Sequence, residues 1–590
     1  MKNIRILFHT ALLVATAVFT ACLDATDDSG FIPETPRIAF EEPTLTIEKT
    51  GGDQTITIVS NLPWRLKSDV SWVVLTTVNG QGSGTVKFNV LRNRTRDERH
   101  GTITAYITDD CTATLSLTQL PAEASENFTY YVKTDGDALA SGLSWEEATT
   151  LPTALENAGD GDVICLAAGT YAPVALLTGG ETEEEKTFEI HSNFTLEGGY
   201  PADAVTGAVA DPSANETVLS GNLGAVSAYH VVTVTASKST LHTAVLKNLT
   251  ISDGVGYKTN EELRRVVGGA VIDAALGGGL FVGVSNLSVV NCRIADNEAC
   301  HSGGVHVYVG AEVSFEGCTI ANNTASNNGG GIWNQGAVVY MNGCTISGNV
   351  SGQQAAGFYS IDSGGGRSIS RISNTTISDN DNTRLNTKRS GGGVYIRAGS
   401  DAVFTNCTFT GNKAGYGGAI AGHGTGALSA TTLCISCTFT NNLANDGGGA
   451  LFAYNNYADV VARNSIVSGN SGPTDSGDMG VLAGVDASHV RVFSSIAGGQ
   501  LFDNAGGAVG GWSFSASTML GELGFHAGGV TRTYPLMESA DNPAIGQGLT
   551  VDELRALAAS CTPAVNETIV AADQNGTPRG GRSIGAVTAQ

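Results

Sequence analysis

The chain has 590 residues, with 56 acidic against 32 basic side chains, a formal net charge of −24 and an isoelectric point near 4.7. Such a surface repels nucleic acid and polyanionic sugars at long range, so neither a nucleic-acid partner nor an arginine-rich glycosaminoglycan groove is expected. The length suffices for two domains with cores of their own.

Residues 1–21 read as an export signal. Lys2 and Arg5 precede the apolar stretch Ile6 to Phe19, and the small residues Thr20 and Ala21 precede Cys22. The stretch is too short and wrongly flanked for a transmembrane helix. Phe19-Thr-Ala-Cys22 resembles the box of bacterial lipoproteins, with Phe19 where Leu is usual. That resemblance implies lipid attachment at Cys22 and a membrane anchor in the outer membrane; a plain secretory signal is the alternative reading. Residues 22–37 form a tether, acidic and turn-prone from Leu23 to Gly30. In some Gram-negative lineages acidic residues after the lipid cysteine resemble a surface-export signal, which implies exposure at the cell surface.

Residues 38–121 alternate as strands do, for example Thr55-Ile-Thr-Ile-Val59, Val86-Lys-Phe-Asn-Val90 and Thr102-Ile-Thr-Ala-Tyr-Ile-Thr108. Turn signals at short, regular spacing predict an antiparallel β-sandwich. The landmarks Asn61-Leu-Pro-Trp64, Trp72, Asn93, Arg99 and Gln119 resemble a BACON domain, a small immunoglobulin-like module of bacterial lipoproteins. The resemblance implies carbohydrate or mucin binding, or a spacer role. Trp64 and Trp72 invite sugar stacking, although buried tryptophan is normal in such sandwiches and core packing is the better expectation. Residues 122–128 are a polar linker.

Residues 129–590 read as one solenoid. Tyr130 opens a strand, and Ser144 to Ala158 is expected to be helical, with Ser144 and Glu147 as a capping box. A helix here would cover the open sheet edge of the first coil, Gly161 to Tyr171. The order strand, helix, coil resembles the N-terminal cap of many β-helix proteins. Asn542-Pro-Ala-Ile-Gly-Gln-Gly548 and the run from Asp573 to Arg579 resemble the closing segment of that group.

Between these ends one phrase recurs: Cys292-Arg-Ile-Ala-Asp-Asn297, Cys318 to Asn323, Cys344 to Asn349, Cys407 to Asn412 and Cys437 to Asn442. Thr375 to Asn380 and Ser465 to Asn470 are copies without the cysteine, and successive starts lie 26, 26, 31, 32, 30 and 28 residues apart. Glycine runs and apolar strands follow, as in Gly391-Gly-Gly-Val394. A unit this small cannot bury its inner face alone and must stack. Three short strands per period describe a right-handed parallel β-helix with coils about 4.8 Å apart. The cysteines then fill an inward ladder. The asparagines suit a corner where left-handed backbone is tolerated and amides stack, and the glycines suit another. The rival reading of the cysteines is a disulfide framework. Cys434 and Cys437 have redox or zinc spacing, but a lone CxxC is weak and Cys437 already belongs to the ladder. The repeat resembles that of polymorphic outer-membrane proteins and, more broadly, the pectate-lyase-like superfamily, over residues 245–470. No run of alternating ten-residue strands for a membrane barrel follows. The fold class is therefore all-β: an immunoglobulin-like β-sandwich, then a right-handed parallel β-helix with a short N-terminal capping helix.

Chemistry is thinner. The insertions 254–278, 350–372 and 381–390 lie outside the repeat, where function concentrates. A lyase of the resembled superfamily needs a basic residue and, usually, calcium held by clustered acids. Arg367, Arg371, Lys388 and Arg389 lie near insertions, and Asp379-Asn-Asp-Asn382 offers calcium-like oxygens, though solvated turn residues explain them better. Gly422-His423-Gly424 resembles an element of polygalacturonases, whose accompanying acidic elements are missing, with Asp401 alone nearby. His301 and His306, five apart, are expected on opposite strand faces and not to share a metal. No catalytic residue, metal ligand or cofactor is therefore assigned. The leading expectation is a surface lipoprotein that binds glycan or a host surface along the flat faces of the solenoid without catalysis. The alternative is a polysaccharide lyase or glycoside hydrolase, and fold alone does not separate them.

Overall fold

The computed structural model describes residues 34–94, 97–123, 126–257, 263–364, 366–384, 389–473, 477–509, 514–526 and 528–588. Cys22 and Lys388 lie outside the described residues. Contacts divide the chain into two compact units, Met1–Asn93 with Asp97–Ala122 and Arg94–Arg96 with Glu123–Gln590.

The first unit is a sandwich of two sheets. Ile38–Phe40, Gly52–Ser60, Gly84–Val90 and Val73–Leu75 form one, in that spatial order. Thr44–Ile47, Cys111–Gln119, Arg99–Thr108, Pro63–Ser68 and Asn79–Gln81 form the other. Period-two alternation sends Ile58, Val86, Phe88, Ile103 and Leu115 into the shared core. Trp64 belongs to that core, 5% exposed, and its Nε1 donates to the Gly82 carbonyl at 2.8 Å. Trp72 is half-buried under the Arg99 guanidinium, 4.5 Å from the ring centroid. Both tryptophans therefore pack within the sandwich. Gln119 is fully buried because it is fully bonded: its Oε1 accepts from Arg99 Nε at 2.9 Å and its Nε2 donates to the Leu91 carbonyl at 3.0 Å.

The second unit is a parallel β-helix. Its first sheet has 12 strands, from Thr129–Val132 to Val490–Phe493; its second has 13, from Gly169–Tyr171; its third has 10, from Phe188–Ile190 to Met479–Val481. Equivalent residues stack in register, so the middle of the repeated phrase makes one interior column, Ile294, Ile320, Ile346, Ile377, Phe409 and Phe439. Phe409 and Phe439 stack face to face at 4.5 Å.

The cysteine ladder is interior as expected, and all ten cysteines of the described residues are free thiols. Each Sγ meets the carbonyl two residues back; Cys407 Sγ lies 3.3 Å from the Thr405 oxygen. Where the phrase lacks cysteine, a hydroxyl makes the same bond: Thr375 Oγ1 donates to Ser373 at 2.7 Å and Ser465 Oγ to Arg463 at 2.9 Å. Burial pushes the Cys407 and Cys437 thiols well above their ordinary value, which suits scaffold and not reactivity. Cys434 and Cys437 both point into the core, so they form no exposed pair.

The asparagine ladder is buried, and its amides bond coil to coil. Asn380 Nδ2 donates to Asn412 Oδ1 at 2.9 Å, and Asn380 Oδ1 accepts from Asn349 Nδ2 at 2.9 Å. Its place in the backbone differs from the expectation. The left-handed residue is the one before it: Asp296, Asn322, Asp379 and Asn441 have φ of 60, 57, 57 and 58°. A second left-handed column, including Asn291, Asn374 and Asn406, precedes the cysteine ladder. The ladder asparagines themselves are not left-handed, and their side chains turn inward to meet one another. In the glycine runs, Gly391 has φ 70°, and a Cβ on Gly418 would stand 2.2 Å from the Gly449 carbonyl oxygen.

The capping helix is shorter than expected. It spans Leu151–Asn157 with Thr150 as N-cap, and Leu151 and Ala154 close the end of the core. Pro152 explains the difference: in a helix begun at Ser144 it would sit inside, without an N–H and against the preceding turn. Ser144 still accepts from the Glu147 N–H at 3.2 Å, but within a turn.

The C-terminal residues do more than close the solenoid. The second sheet ends in antiparallel strands, Ser495–Ala497, Gln500–Phe502 and Ala508–Val509. Residues 514–588 then return along the outside. Arg371 donates to the Thr562 and Pro563 carbonyls at 2.5 and 3.1 Å on the first sheet. Gln574 joins Thr376 and Thr408 on the second, at 2.9 and 2.6 Å. Helices Val551–Ala559 and Glu567–Ala571 press Leu554, Ala558 and Val570 onto Val403 and Ile435.

Candidate functional site

These contacts fall on the first and second sheets, whereas the outer face of the third sheet carries a separate apolar cluster. The third sheet's strands Val305–Val307, Ile332–Gln335, Phe358–Ile361, Val394–Arg397, Ile420–His423 and Leu451–Ala453 send every first residue into the core. The next residue points away from that core, yet it is buried at every rung but Trp333. In register these are His306, Trp333, Tyr359, Tyr395, Ala421 and Phe452, following Phe281 on the strand before. An aromatic column thus runs along the face. Trp333 and Tyr359 lie edge-on at 5.1 Å, and Tyr359 and Tyr395 stack at 5.8 Å.

A second column stands beside it: Gln335, Ile361, Arg397, His423 and Tyr454, all half-buried. It caps the phenols of the first. Arg397 Nη1 donates to the Tyr359 hydroxyl at 3.2 Å, and the Tyr395 hydroxyl meets His423 Nδ1 at 3.0 Å. His423 stacks on Tyr454 at 5.2 Å, and Tyr416 flanks Tyr454 and Phe452 at 5.3 and 5.0 Å. Burial, with Arg397 beside it, holds the His423 imidazole below its ordinary pKa, so it is neutral at pH 7. Burial likewise raises Tyr395 and Tyr454, which stay protonated donors.

The insertion at 254–278 closes the N-terminal end of this face. Arg264–Val267 pairs with Ala270–Asp273 as a hairpin, and Ile272 packs with Leu177 on Phe281. Arg265 anchors it to Glu185 at 2.6 Å, holding that carboxyl down at about 2.

His301 and His306 were expected on opposite faces, and the structure corrects this. Both rings pack against the one indole of Trp333, at 5.0 and 5.6 Å. Between them Ser302 is left-handed (φ 53°) and two glycines follow, so strand parity does not carry across. Burial pushes them down to about 4 and about 3. Among the described residues no group of three or more His, Cys, Asp or Glu could hold a metal ion.

The other candidates disperse. Arg371 is held by Asp401 at 3.1 Å and by the C-terminal segment on the first sheet. Arg367 is exposed in the turn before that strand, and Arg389 precedes the third-sheet strand at Val394. In the acidic run, Asn380 turns inward to its ladder, Asp379 is exposed near Arg532 at 3.6 Å, and Asn382 donates to the Ser390 carbonyl at 2.8 Å. The oxygens of Asp379, Asn380 and Asp381 serve separate local bonds, while Asn382 Oδ1 meets no donor. Asp401 and His423 lie on different sheets and make no acid pair.

Sequence reading missed the aromatic column. Part of its signal is present nevertheless: the residue after the first large apolar position behind the glycines is His306, Trp333, Tyr359, Tyr395 and Phe452, with Ala421 interrupting the series behind Gly417 and Gly418.

Residues 317–492 match the family model of the right handed beta helix region, and residues 62–120 match that of the BACON domain, an N-terminal binding domain. No curated protein matches the sequence. Among solved structures the chain is similar to pectate lyase Pel9A, at 14% identity and TM-score 0.43 over 72% of this chain and 92% of that one. It is also similar to a rhamnogalacturonan lyase, at 15% identity and TM-score 0.38 over 62% and 87%. A third is the Yersinia enterocolitica family 28 exopolygalacturonase, at 10% identity and TM-score 0.22 over 78% and 92%. Likeness at this level says nothing about chemistry. The chain is a right-handed parallel β-helix that carries a BACON domain at its N-terminal side.

Proposed function

We propose that this protein is a surface-exposed outer-membrane lipoprotein, anchored through Cys22, whose β-helix binds glycan or a host surface without catalysis. The observation that carries the binding reading is the third-sheet face. It carries the half-buried Trp333 and Tyr454, flanked by Tyr416, beside Arg397 and His423, apolar rings next to directional donors, which is how proteins hold sugar rings. No cofactor enters this reading.

A glycan array probed with the chain lacking residues 1–22 tests it. Binding is expected, weakened in Tyr454→Ala and His423→Ala, with the sugar recovered intact. New reducing ends or unsaturated products would instead establish the lyase or hydrolase alternative. The anchor is tested separately by metabolic labelling with a fatty acid, which Cys22→Ala should abolish, and by surface protease accessibility in whole cells.

A further inference from the structure

We infer that the cavity between the first sheet and the returning C-terminal segment binds a small organic ammonium ion whose apolar body is the size of one aromatic ring. This site is separate from the third-sheet face, and its test does not depend on the glycan-binding reading.

The cavity exists because the cover stops part-way along a column. On the outer face of the first sheet, Ser314, Tyr340, Arg371, Val403 and Leu433 stand in register on successive strands. The two C-terminal helices cover Val403 and pack against Leu433. Arg371 then pins the loop between the helices through the Thr562 and Pro563 carbonyls. Beyond that pin, Ala564, Val565 and Ile569 overhang Ser314 and Tyr340 without filling the space, and a cavity of about 220 Å³ is left. An apolar cavity of about 150 Å³ holds one benzene ring, so this one takes a ring with a short arm. The end at Tyr340 and Glu316 is open to solvent, since Tyr340 is 36% exposed and Glu316 is exposed beside it.

The sign of the ligand follows from the groups around that mouth. Glu316 lines it; its Oε1 accepts from Asn342 Nδ2 at 2.8 Å, and among the described residues no donor reaches its Oε2. Glu312 stands on the same strand and the same outer face, exposed. Burial, with Glu312 beside it, raises the Tyr340 phenol above its ordinary pKa, so the phenol stays protonated. The guanidinium that lines the cavity, Arg371, is already committed: Asp401 holds Nη1 at 3.1 Å, and Nε and Nη2 go to the loop carbonyls. Two carboxylates without an ion pair among the described residues therefore face the mouth, which draws a cation and repels an anion. An ammonium group carries donors only, and the rim offers acceptors, the Glu316 carboxylate and the Tyr340 hydroxyl. The Tyr340 ring adds a face for the cation, while Val403, Val565 and Ile569 receive the apolar body.

The test is calorimetry at low salt and pH 7 on the full chain in non-ionic detergent. The probe is phenethylammonium, set against its neutral and anionic counterparts, phenylethanol and phenylacetate. Phenethylammonium is expected to bind at least about tenfold more tightly than phenylethanol, and phenylacetate more weakly still. Glu316→Gln keeps the oxygen that Asn342 uses and should erase most of that preference. Ser314→Trp fills the cavity and should abolish binding, with an unchanged thermal transition as the folding control for both variants. A peptide with an N-terminal phenylalanine carries the same ring and ammonium. Run alongside, it separates a peptide terminus from a free amine as the source, and tighter binding by either supports the site. Equal binding of phenylethanol would overturn the ammonium assignment, as would tighter binding of phenylacetate. Binding undiminished in Ser314→Trp would place the amine elsewhere and overturn the site, and so would no binding by any probe.

Discussion

Asp478 Oδ1 accepts both the backbone N–H and the side-chain amide of Asn470, each at 2.8 Å. It is the terminus of a directed ladder. From Asn297 through Asn323, Asn349, Asn380, Asn412 and Asn442, each residue donates its backbone and its amide hydrogens to the Oδ1 of the next. Its first Oδ1 is supplied by the Gly254 N–H at 3.0 Å. Amides can pass such a chain on; an acceptor without a hydrogen can end it.

Removing that terminus strands two donors. Asp478→Ala should cost about 2–3 kcal/mol, read as a lower denaturation midpoint and faster hydrogen exchange at residues 466–480. Asp478→Asn keeps the Oδ1 acceptor but sets an amide against the Gly498 N–H, which now donates to Oδ2 at 3.2 Å. It also removes a carboxylate that burial makes harder to ionise. The two changes oppose each other, and a cost within about 1 kcal/mol is expected. Equal losses in both variants would sink the ladder account.

Reductant should leave the solenoid's melting temperature unchanged, because the ladder cysteines are thiols. Cys407→Ser should be nearly neutral, within about 1 kcal/mol, since Ser465 and Ser495 already place hydroxyls in that column and bond them to carbonyls at 2.9 and 2.7 Å. Cys407→Leu should cost about 1–3 kcal/mol by overpacking a fully buried position. A reductant-sensitive melt would restore the disulfide reading.

The scaffold was legible because stacking writes itself as period. Cysteine, isoleucine and asparagine recur since each must meet its own equivalent one coil away, and the register of Ile294, Ile320 and Ile346 follows at once. The aromatic column of the third sheet was not legible for the same reason. His306, Trp333, Tyr359 and Tyr395 share a position but not an identity, so no repeated letter marks them. The helix start failed locally, where Pro152 outranks a Ser–Glu capping pair. The pairing of His301 and His306 failed because parity counts strand residues, and a left-handed serine with two glycines interrupts the strand.

The C-terminal segment should detach as a unit when its polar anchor is cut. Arg579 is buried and donates to Asn406 Oδ1 at 3.0 Å and to the Ala572 and Gly585 carbonyls at 3.1 Å each. Burial lowers its pKa to about 10, and Asp573 nearby partly offsets this. Arg579→Ala leaves Asn406 Oδ1 and the Gly585 carbonyl unpaired in the interior, while the Ala572 carbonyl keeps Asn406 Nδ2, a loss on the order of 3 kcal/mol. Limited proteolysis should then cut within 545–588 first, while the fragment up to residue 509 keeps its far-ultraviolet spectrum. Cleavage spread evenly over the solenoid would show that the segment is integral to each coil.

Acid should destabilise the third-sheet face before the rest, through His306. Its folded pKa is about 3, lowered first by burial and then by His301 and His230, against about 6.5 in an unfolded chain. Above pH 6.5 both states leave the ring neutral and the stability is complete. Between pH 6.5 and 3 the unfolded chain takes up a proton that the folded chain refuses, so stability falls as pH falls. His301, at about 4, adds a second contribution of the same sign. Together the loss reaches on the order of several kcal/mol by pH 4. His306→Gln, a polar side chain without that proton, should flatten the profile across this window even if it lowers stability at pH 7. Stability measured by urea denaturation at half-unit steps from pH 7 to 4 decides the matter: parallel profiles for the wild type and His306→Gln would assign the acid sensitivity to another group.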